Sequence, residues 1–298
     1  MQVLSSADIE GLNLFRRGKV RDTFQLADGT LLMIATDRLS AFDVVLPTPI
    51  PGKGTVLTQM SRWWFAQTAG ISPNHLLGDV EEEIPESVRE GWLPRSMHVA
   101  RAQRIDVECV VRGFISGSGW KEYRDKGTLA GEQLSTGLQD SSRLPSPRFT
   151  PAIKKDDGHD INISRQELRT LVGQELAEKL ESASLRLFDF ATARCESQGI
   201  YLADTKFEFG FINGNLTLID EIFTPYSSRF WEISEWKEGQ PAVSFDKQFV
   251  RDYVEELGWD KTDPGPVLPE DVVKGTTERY VEAARRICGI DVSETVTG

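Results

Sequence analysis

Asp204-Thr205-Lys206-Phe207-Glu208-Phe209-Gly210, followed by Leu218-Ile219-Asp220-Glu221 and Ser227-Ser228-Arg229, is the stretch whose reading decides the rest. Phe207, Phe209 and Phe211 alternate with Lys206, Glu208 and Gly210. A period of two marks a strand with one apolar and one polar face. Asn213-Gly214 is a turn signal, and Leu216 to Ile219 begins a return strand, so the segment reads as a β-hairpin with an exit loop. Loop length decides which side chains meet. An odd number of loop residues puts Lys206, Glu208 and Asp220 on one face; a two-residue loop puts Glu208 and Asp220 on opposite faces. Two carboxylates on one face suit Mg²⁺, which takes oxygen ligands and shares its shell with nucleotide phosphates. Lys206 and Arg229 then serve anionic groups nearby. The competing reading is a solvated hairpin whose ion pairs contribute little. The aromatic alternation argues against it, because it makes the face half-buried.

The 298 residues, 39% hydrophobic and 27% charged, describe a soluble globular chain long enough for two packed layers or domains. A net charge of −12 disfavours nucleic acid and anionic membranes as partners. Any anionic ligand must be held by local Lys and Arg against that field. Cys109, Cys195 and Cys288 stand far apart with no CxxC, which disfavours a disulfide framework or zinc site and fits a reducing cytosol. The first six residues lack the basic start and apolar core of a secretion signal, and no apolar run approaches the ~20 residues that span a bilayer. A cytoplasmic protein is expected.

Residues 20–26 and 31–35 flank Asp28-Gly29 as a hairpin, and residues 56–69 have helical spacing. Residues 70–95 read as irregular surface, 98–112 as an apolar strand pair, and 124–150 as a long, mobile excursion. Ser164 and Glu167 form a capping box that opens a helical region ending at Gly199, with one break. Further helices are expected over 244–258 and 276–288, the last closed by Gly289. Strands dominate the first third and helices mix with strands afterward, so the fold class is α+β.

Other constellations carry weaker signals. Lys19 and Arg21, two apart, project from one strand face, and Gly18 lets a ligand approach the backbone. That suits a phosphate chain, or merely protects a sheet edge. Gly52-Lys53-Gly54-Thr55 lacks the earlier glycine of a Walker A loop and is not one. Arg112 precedes Gly113-Phe114-Ile115-Ser116-Gly117-Ser118-Gly119, a phosphate cradle or a flexible turn. In the charged segment 154–160, Lys154 suits nucleotide phosphates and Asp160 a cationic amine, while His159 has at most a helix-entry role. Asp37, Ser40 and Asp43 follow a strand, where sites commonly sit, although the aspartates equally suit turns.

Taken together these segments resemble the phosphoribosylaminoimidazole-succinocarboxamide synthase (SAICAR synthetase) family. The likeness runs in order through GKVRD at 18–22, ATDRLSAFD at 35–43, ECVVRGFISGSGW at 108–120, residues 154–160, DTKFEFG at 204–210 and DEIFTPYSSRFW at 220–231. The resemblance implies ATP, Mg²⁺, L-aspartate and carboxyaminoimidazole ribotide (CAIR) as ligands, with SAICAR, ADP and phosphate as products. It implies an ATP-grasp-related fold of two lobes, a small β-rich lobe over residues 1–105 covering the nucleotide and a larger α/β lobe over 106–298. It places Gly18, Lys19, Val20 and Arg21 along the triphosphate, and Arg101 and Ala102 beside the adenine. Glu208 and Asp220 would hold Mg²⁺, with Lys206 and Lys154 at the transfer region. Arg112, Ser118 and Arg229 would bind the ribotide, chiefly its phosphate. Asp37, Ser40 and Asp160 would complete the substrate site, with Asp37 or Asp160 as base for the amine. A monomer or homodimer is expected.

Two other readings share these features. A small-molecule kinase also uses a Lys-bearing hairpin and an acidic metal pair, but the chain has no H-R-D loop and no D-F-G. A non-catalytic nucleotide-binding protein would bind ATP without turnover. Stoichiometric amide formation separates the ligase from both.

Overall fold

The computed structural model describes residues 3–78, 84–154 and 160–293. In chain order, β1 (Asn13–Arg17), β2 (Arg21–Gln25) and β3 (Leu31–Ala35) lead to a ribbon of β4 (Ser40–Ala41) and β5 (Val44–Val45), then to α1 (Lys53–Thr68). β6 (Leu76–Gly78), α2 (Glu86–Trp92) and β7 (Ser96–Val99) precede the long strand β8 (Gln103–Phe114). Next come α3 (Gly117–Lys126), β9 (Thr128–Leu129), β10 (Glu132–Gln133), β11 (Arg143–Phe149), β12 (Ala152–Ile153) and β13 (Ile161–Asn162). The chain continues through α4 (Arg165–Val172), α5 (Gln174–Glu196), β14 (Ile200–Ile212), β15 (Asn215–Ile219), β16 (Ser228–Glu232), α6 (Gln248–Glu256) and α7 (Glu270–Ala283).

Two sheets organise these elements. The first has five strands in the order β1-β2-β3-β7-β6; the second has seven, with β13-β12-β8-β14-β15 as its path, β11 beside β8 and β16 beside β14. Every ladder in both is antiparallel, and the class is α+β as expected. The apolar run 98–112 is not a strand pair, because its two parts join different sheets. Leu31 pairs with Val99 in the first, and Phe207 pairs with Cys109 in the second. Residues 100–102 form the connection. Residues 73–75 tie the sheets together: Leu218 N donates to Pro73 O (2.8 Å), and Ala100 N donates to His75 O (2.8 Å).

Phe207 and Phe209 are fully buried with Val111, Phe188, Trp64 and Phe223, in one cluster that draws on both sheets, α1 and α5. Each such ring contributes on the order of 1.5–3 kcal/mol through burial. The alternation therefore has the expected outcome: aromatic side chains inward, charged side chains to the opposite face. The capping box is formed, with Glu167 N donating to Ser164 Oγ (3.1 Å) and Ser164 N to Glu167 Oε2 (2.7 Å). The break between α4 and α5 falls at Gly173, whose φ is 85°.

Elsewhere the structure corrects the boundaries. The exposed edge strand β1 lacks the alternation that would mark it in the sequence. Residues 70–95 contain β6 and α2, and 124–150 contain β9, β10 and β11. The helix expected from 244 starts at Gln248, whose N–H is held by Asp246 Oδ1 (2.7 Å), so Ser244 to Asp246 form the approach. The last helix starts at Glu270, directly after Pro269.

Candidate active site

A cleft of about 580 Å³ is lined by the turn before β2, by β3, by the 100–102 connection, and by the polar face of the second sheet. That face has a strict order. Across β8 and β14, Arg112 stands opposite Asp204, Val110 opposite Lys206, and Glu108 opposite Glu208. Opposed residues share a face, so the row runs from Arg112/Asp204 to Glu108/Glu208 over roughly 13 Å of strand. On the other side of β14, Asp204 is also opposite Arg229 of β16.

The hairpin loop holds two residues, Asn213 (φ 50°) and Gly214 (φ 76°), as a tight primed turn requires. Glu208 therefore pairs with Ile219, and continued pairing would send Asp220 to the apolar face with Phe207. The ladder ends first. Asp220 adopts φ 69°, and both Glu208 and Asp220 line the cleft. The left-handed residue achieves the convergence that the loop length alone would forbid.

Each acid is matched by a cation. Arg21 Nη2 donates to both oxygens of Asp220 (2.6 Å each), and its Nη1 pairs with Glu221 (2.7 Å). Lys206 donates to Glu108 (2.6 Å), and Lys154 pairs with Glu208. Burial alone would raise the carboxyl pKa of Asp220 and Glu108; the pull of Arg21 on the first and Lys206 on the second keeps both below the ordinary range. Burial would lower the Lys206 ammonium, but Glu108 and Glu208 hold it above its usual value. The result is a dense field of paired, opposite charges.

The structure places most of the expected residues here. Gly18, Lys19, Val20, Arg21, Ser40, Ala102, Lys154, Asp160, Lys206, Glu208 and Asp220 line the cleft. Lys19 sits in the turn before β2 rather than on the strand, and it pairs with Asp43. Arg101 is exposed outside the lining, its guanidinium 4.9 Å from the centre of the Phe15 ring. Arg112, Ser118 and Arg229 form an adjoining cluster beyond the lining: Arg112 donates to Ser118 Oγ (3.0 Å) and to Asp204 (3.2 Å), and Arg229 pairs with Asp204. Asp37 does not line the cleft. It is fully buried, accepting from Leu4 N (2.9 Å) and Gly54 N (3.0 Å) and pairing with Arg95 (3.0 Å), so its oxygens anchor the chain at the start of α1. His159 lies outside the described residues.

Sequence reasoning missed Tyr226, Lys247, Arg251, Glu108 and Glu221, all in the lining. A signal existed for two of them. Lys247 caps the start of α6 and Arg251 follows four residues later. Like charges at this spacing repel, and cations at a helix start oppose its dipole. Such a pair lowers stability unless a ligand uses it.

Comparison with known proteins agrees with this geometry. The family model described as SAICAR synthetase matches residues 14–266. A phosphoribosylaminoimidazole-succinocarboxamide synthase of Thermodesulfovibrio yellowstonii is 49% identical over 286 residues, covering 95% of this chain and 98% of the relative. One from Desulfosudis oleivorans is 49% identical over 292 residues, covering 97% and 99%. A solved SAICAR synthase of Saccharomyces cerevisiae, complexed with SAICAR, has a TM-score of 0.87 at 36% identity, covering 97% of this chain and 99% of that one. A type-2 SAICAR synthetase in complex with ADP has a TM-score of 0.68 at 25% identity, covering 93% and 98%. The chain belongs to the SAICAR synthetase family.

Proposed function

We propose that this cleft joins L-aspartate to the carboxylate of CAIR at the expense of ATP, giving SAICAR, ADP and phosphate in purine biosynthesis. The observation that carries the reading is the row on β8 and β14, which, with Arg229 of β16, sets an arginine pair and an acid–lysine group on one surface. A carboxylate resists amines because oxide is a poor leaving group. A CAIR carboxylate oxygen attacks the γ-phosphorus and ADP departs, leaving an acyl phosphate. The aspartate amine then attacks the acyl carbon, loses a proton, and expels phosphate. Positioning and charge neutralisation do most of this work.

The placement of the side chains supports the following roles. Gly18, Lys19, Val20 and Arg21 lie along the triphosphate, with Ala102 near the base; Arg101 stands outside the lining, against Phe15. Lys206 and Lys154 balance charge at the transferring phosphoryl group. Arg112, Ser118 and Arg229 hold the ribotide phosphate, and Ser40 contacts substrate. Asp160, which lines the cleft, takes the amine. Asp37 acts at one remove, by fixing Gly54. Glu208 and Asp220 fit Mg²⁺: they are hard oxygen donors converging on one cleft. Among the described residues no group of three or more His, Cys, Asp or Glu forms an all-protein cage. Two carboxylates completed by phosphate oxygens are the usual arrangement for this ion. When bound it supplies charge neutralisation to the phosphates.

The two sheets form the two lobes of an ATP-grasp-related architecture, dividing near residue 105 at the start of β8. Among the described residues no helix is long and apolar enough to cross a membrane; with the reduced cysteines, a cytoplasmic monomer or homodimer is the proposed state. The test is direct. Purified protein with ATP and Mg²⁺ should release ADP and form amide stoichiometrically only when CAIR and L-aspartate are both supplied. A phosphorylated product without amide would return the kinase reading.

A further inference from the structure

His75 is a buried polar side chain of the cleft that the chemistry above leaves unused. It lines the cleft, is only 4% exposed, and its Nε2 has no hydrogen-bond partner. The ring meets Phe65 of α1 edge-on, with centroids 5.4 Å apart. Its other neighbour is Asp220. Burial pushes the imidazole pKa down to about 4; Asp220 opposes this through its carboxylate and through a hydrogen bond to its backbone, while Arg21 lowers it further. The main chain here is fixed as well. His75 N donates to Leu218 O (3.1 Å), Leu218 N donates to Pro73 O (2.8 Å), and His75 O accepts from Ala100 N (2.8 Å). Asn74 Nδ2 donates to Phe65 O (3.2 Å), and Asn74 Oδ1 accepts from Leu76 N (3.0 Å). Residues 73–75 therefore form a braced strip along the side of β15 that β14 leaves open.

We infer that His75 is a positioning residue, which holds the left-handed Asp220 in place so that its carboxylate stays on the cleft with Glu208. The inference rests on the ligase reading, through the Mg²⁺ roles which that reading gives Glu208 and Asp220. Backbone strain at Asp220 is what makes a brace necessary. The β14–β15 ladder ends at Ile219, one residue earlier, and a φ of 69° is costly for any residue but glycine. Such conformations persist only where the surroundings over-determine them. Arg21 grips the Asp220 carboxylate, but a nucleotide phosphate competes for that guanidinium. The His75 ring acts on the backbone as well, so it keeps its hold when Arg21 turns to phosphate. A partner that orients a ligating carboxylate is typically worth roughly 10- to 100-fold in metal affinity or activity.

The test uses His75→Phe and His75→Leu, which fill the space without a hydrogen bond, and His75→Asn, which restores one, each checked for folding by thermal melting. Binding of Mn²⁺ to protein with ADP, followed by the paramagnetic resonance signal of the free ion, reports on the site without turnover. The Kd for Mn²⁺ should rise roughly 10- to 100-fold in the Phe and Leu variants, and His75→Asn should recover most of the loss. Excess Mg²⁺ should restore much of their activity, while the KM for L-aspartate stays near wild type. In an Asp220→Asn background His75→Phe should weaken Mn²⁺ little further, because it acts through Asp220. An unchanged Kd for Mn²⁺ in the folded variants, or a full additional loss in the Asp220→Asn background, overturns the positioning role. Unaltered Mn²⁺ binding by Asp220→Asn alone overturns the ion's assignment, and the inference with it. Absence of amide product from wild type with all three substrates overturns the ligase reading instead, and is read separately from Mn²⁺ binding.

Discussion

Glu108 and Glu208 face each other directly across β8 and β14, two carboxylates where like charges repel. Each is held by its own lysine, Lys206 on Glu108 at 2.6 Å and Lys154 on Glu208. Both counter-ions come from the same site, and Lys206 holds the Glu108 carboxyl below its ordinary range. An ammonium on Glu208 and a guanidinium on Asp220 are both groups that phosphate oxygens attract. A nucleotide entering the cleft therefore meets acids ready to exchange one cation for another.

Glu208→Gln and Asp220→Asn should lower kcat by about two orders of magnitude or more, since charge neutralisation at the phosphates is worth several kcal/mol. Folding should change far less. Steady-state rates over a range of Mg²⁺ concentrations check this; wild-type activity at ordinary Mg²⁺ in either variant would contradict the assignment.

Arg229→Ala should chiefly raise the KM for CAIR. Asp204 is buried between two arginines, and their pull, against the effect of burial, keeps its carboxyl below the ordinary range. Removing Arg229 leaves Arg112 as its partner, so stability should fall by only about 2 kcal/mol. Chemical denaturation and KM measurements separate the two effects. A change confined to the KM for ATP would mean that Arg229 serves the nucleotide.

Gly210→Ala should damage the nucleotide side of the cleft. A methyl group there would lie 2.8 Å from Gln103 O and 2.9 Å from Ala102 Cβ, so the 102–103 backbone must move. Overpacking of this kind costs typically 1–3 kcal/mol. The KM for ATP should rise more than that for L-aspartate, as initial-rate kinetics can establish.

Lys53 offers a pH signature. Burial pushes its ammonium down from 10.5 to about 7, with Glu221 and Asp37 opposing. Its Nζ donates to Thr36 O (3.1 Å) beneath Tyr226. Between those pH values the unfolded chain binds a proton that the folded chain releases, so this residue makes stability rise with pH and its contribution is lost as pH falls towards 7. Lys53→Met removes the difference. Between pH 7 and pH 9 wild type should gain on the order of a few kcal/mol relative to the variant. Urea melts at both pH values test it, and parallel curves would contradict the burial.

The strand carrying Lys206 and Glu208 was legible because its period of two survives intact in β14. The capping box and the Gly173 break were equally local signals. Asp220 was not, since its position depends on one left-handed residue at a ladder end rather than on alternation. Asp37 looked like a site residue because it follows a strand, yet long-range partners at Leu4, Gly54 and Arg95 claim its oxygens. Lys247 and Arg251 sit far along the chain from the acids, and only tertiary packing brings α6 to the cleft.

The most direct measurement follows one oxygen. CAIR labelled with ¹⁸O in its carboxylate, turned over with ATP and L-aspartate, should deliver one labelled oxygen to inorganic phosphate for each amide formed, because the acyl phosphate passes through this protein's cleft. Unlabelled phosphate accompanying SAICAR would contradict that route.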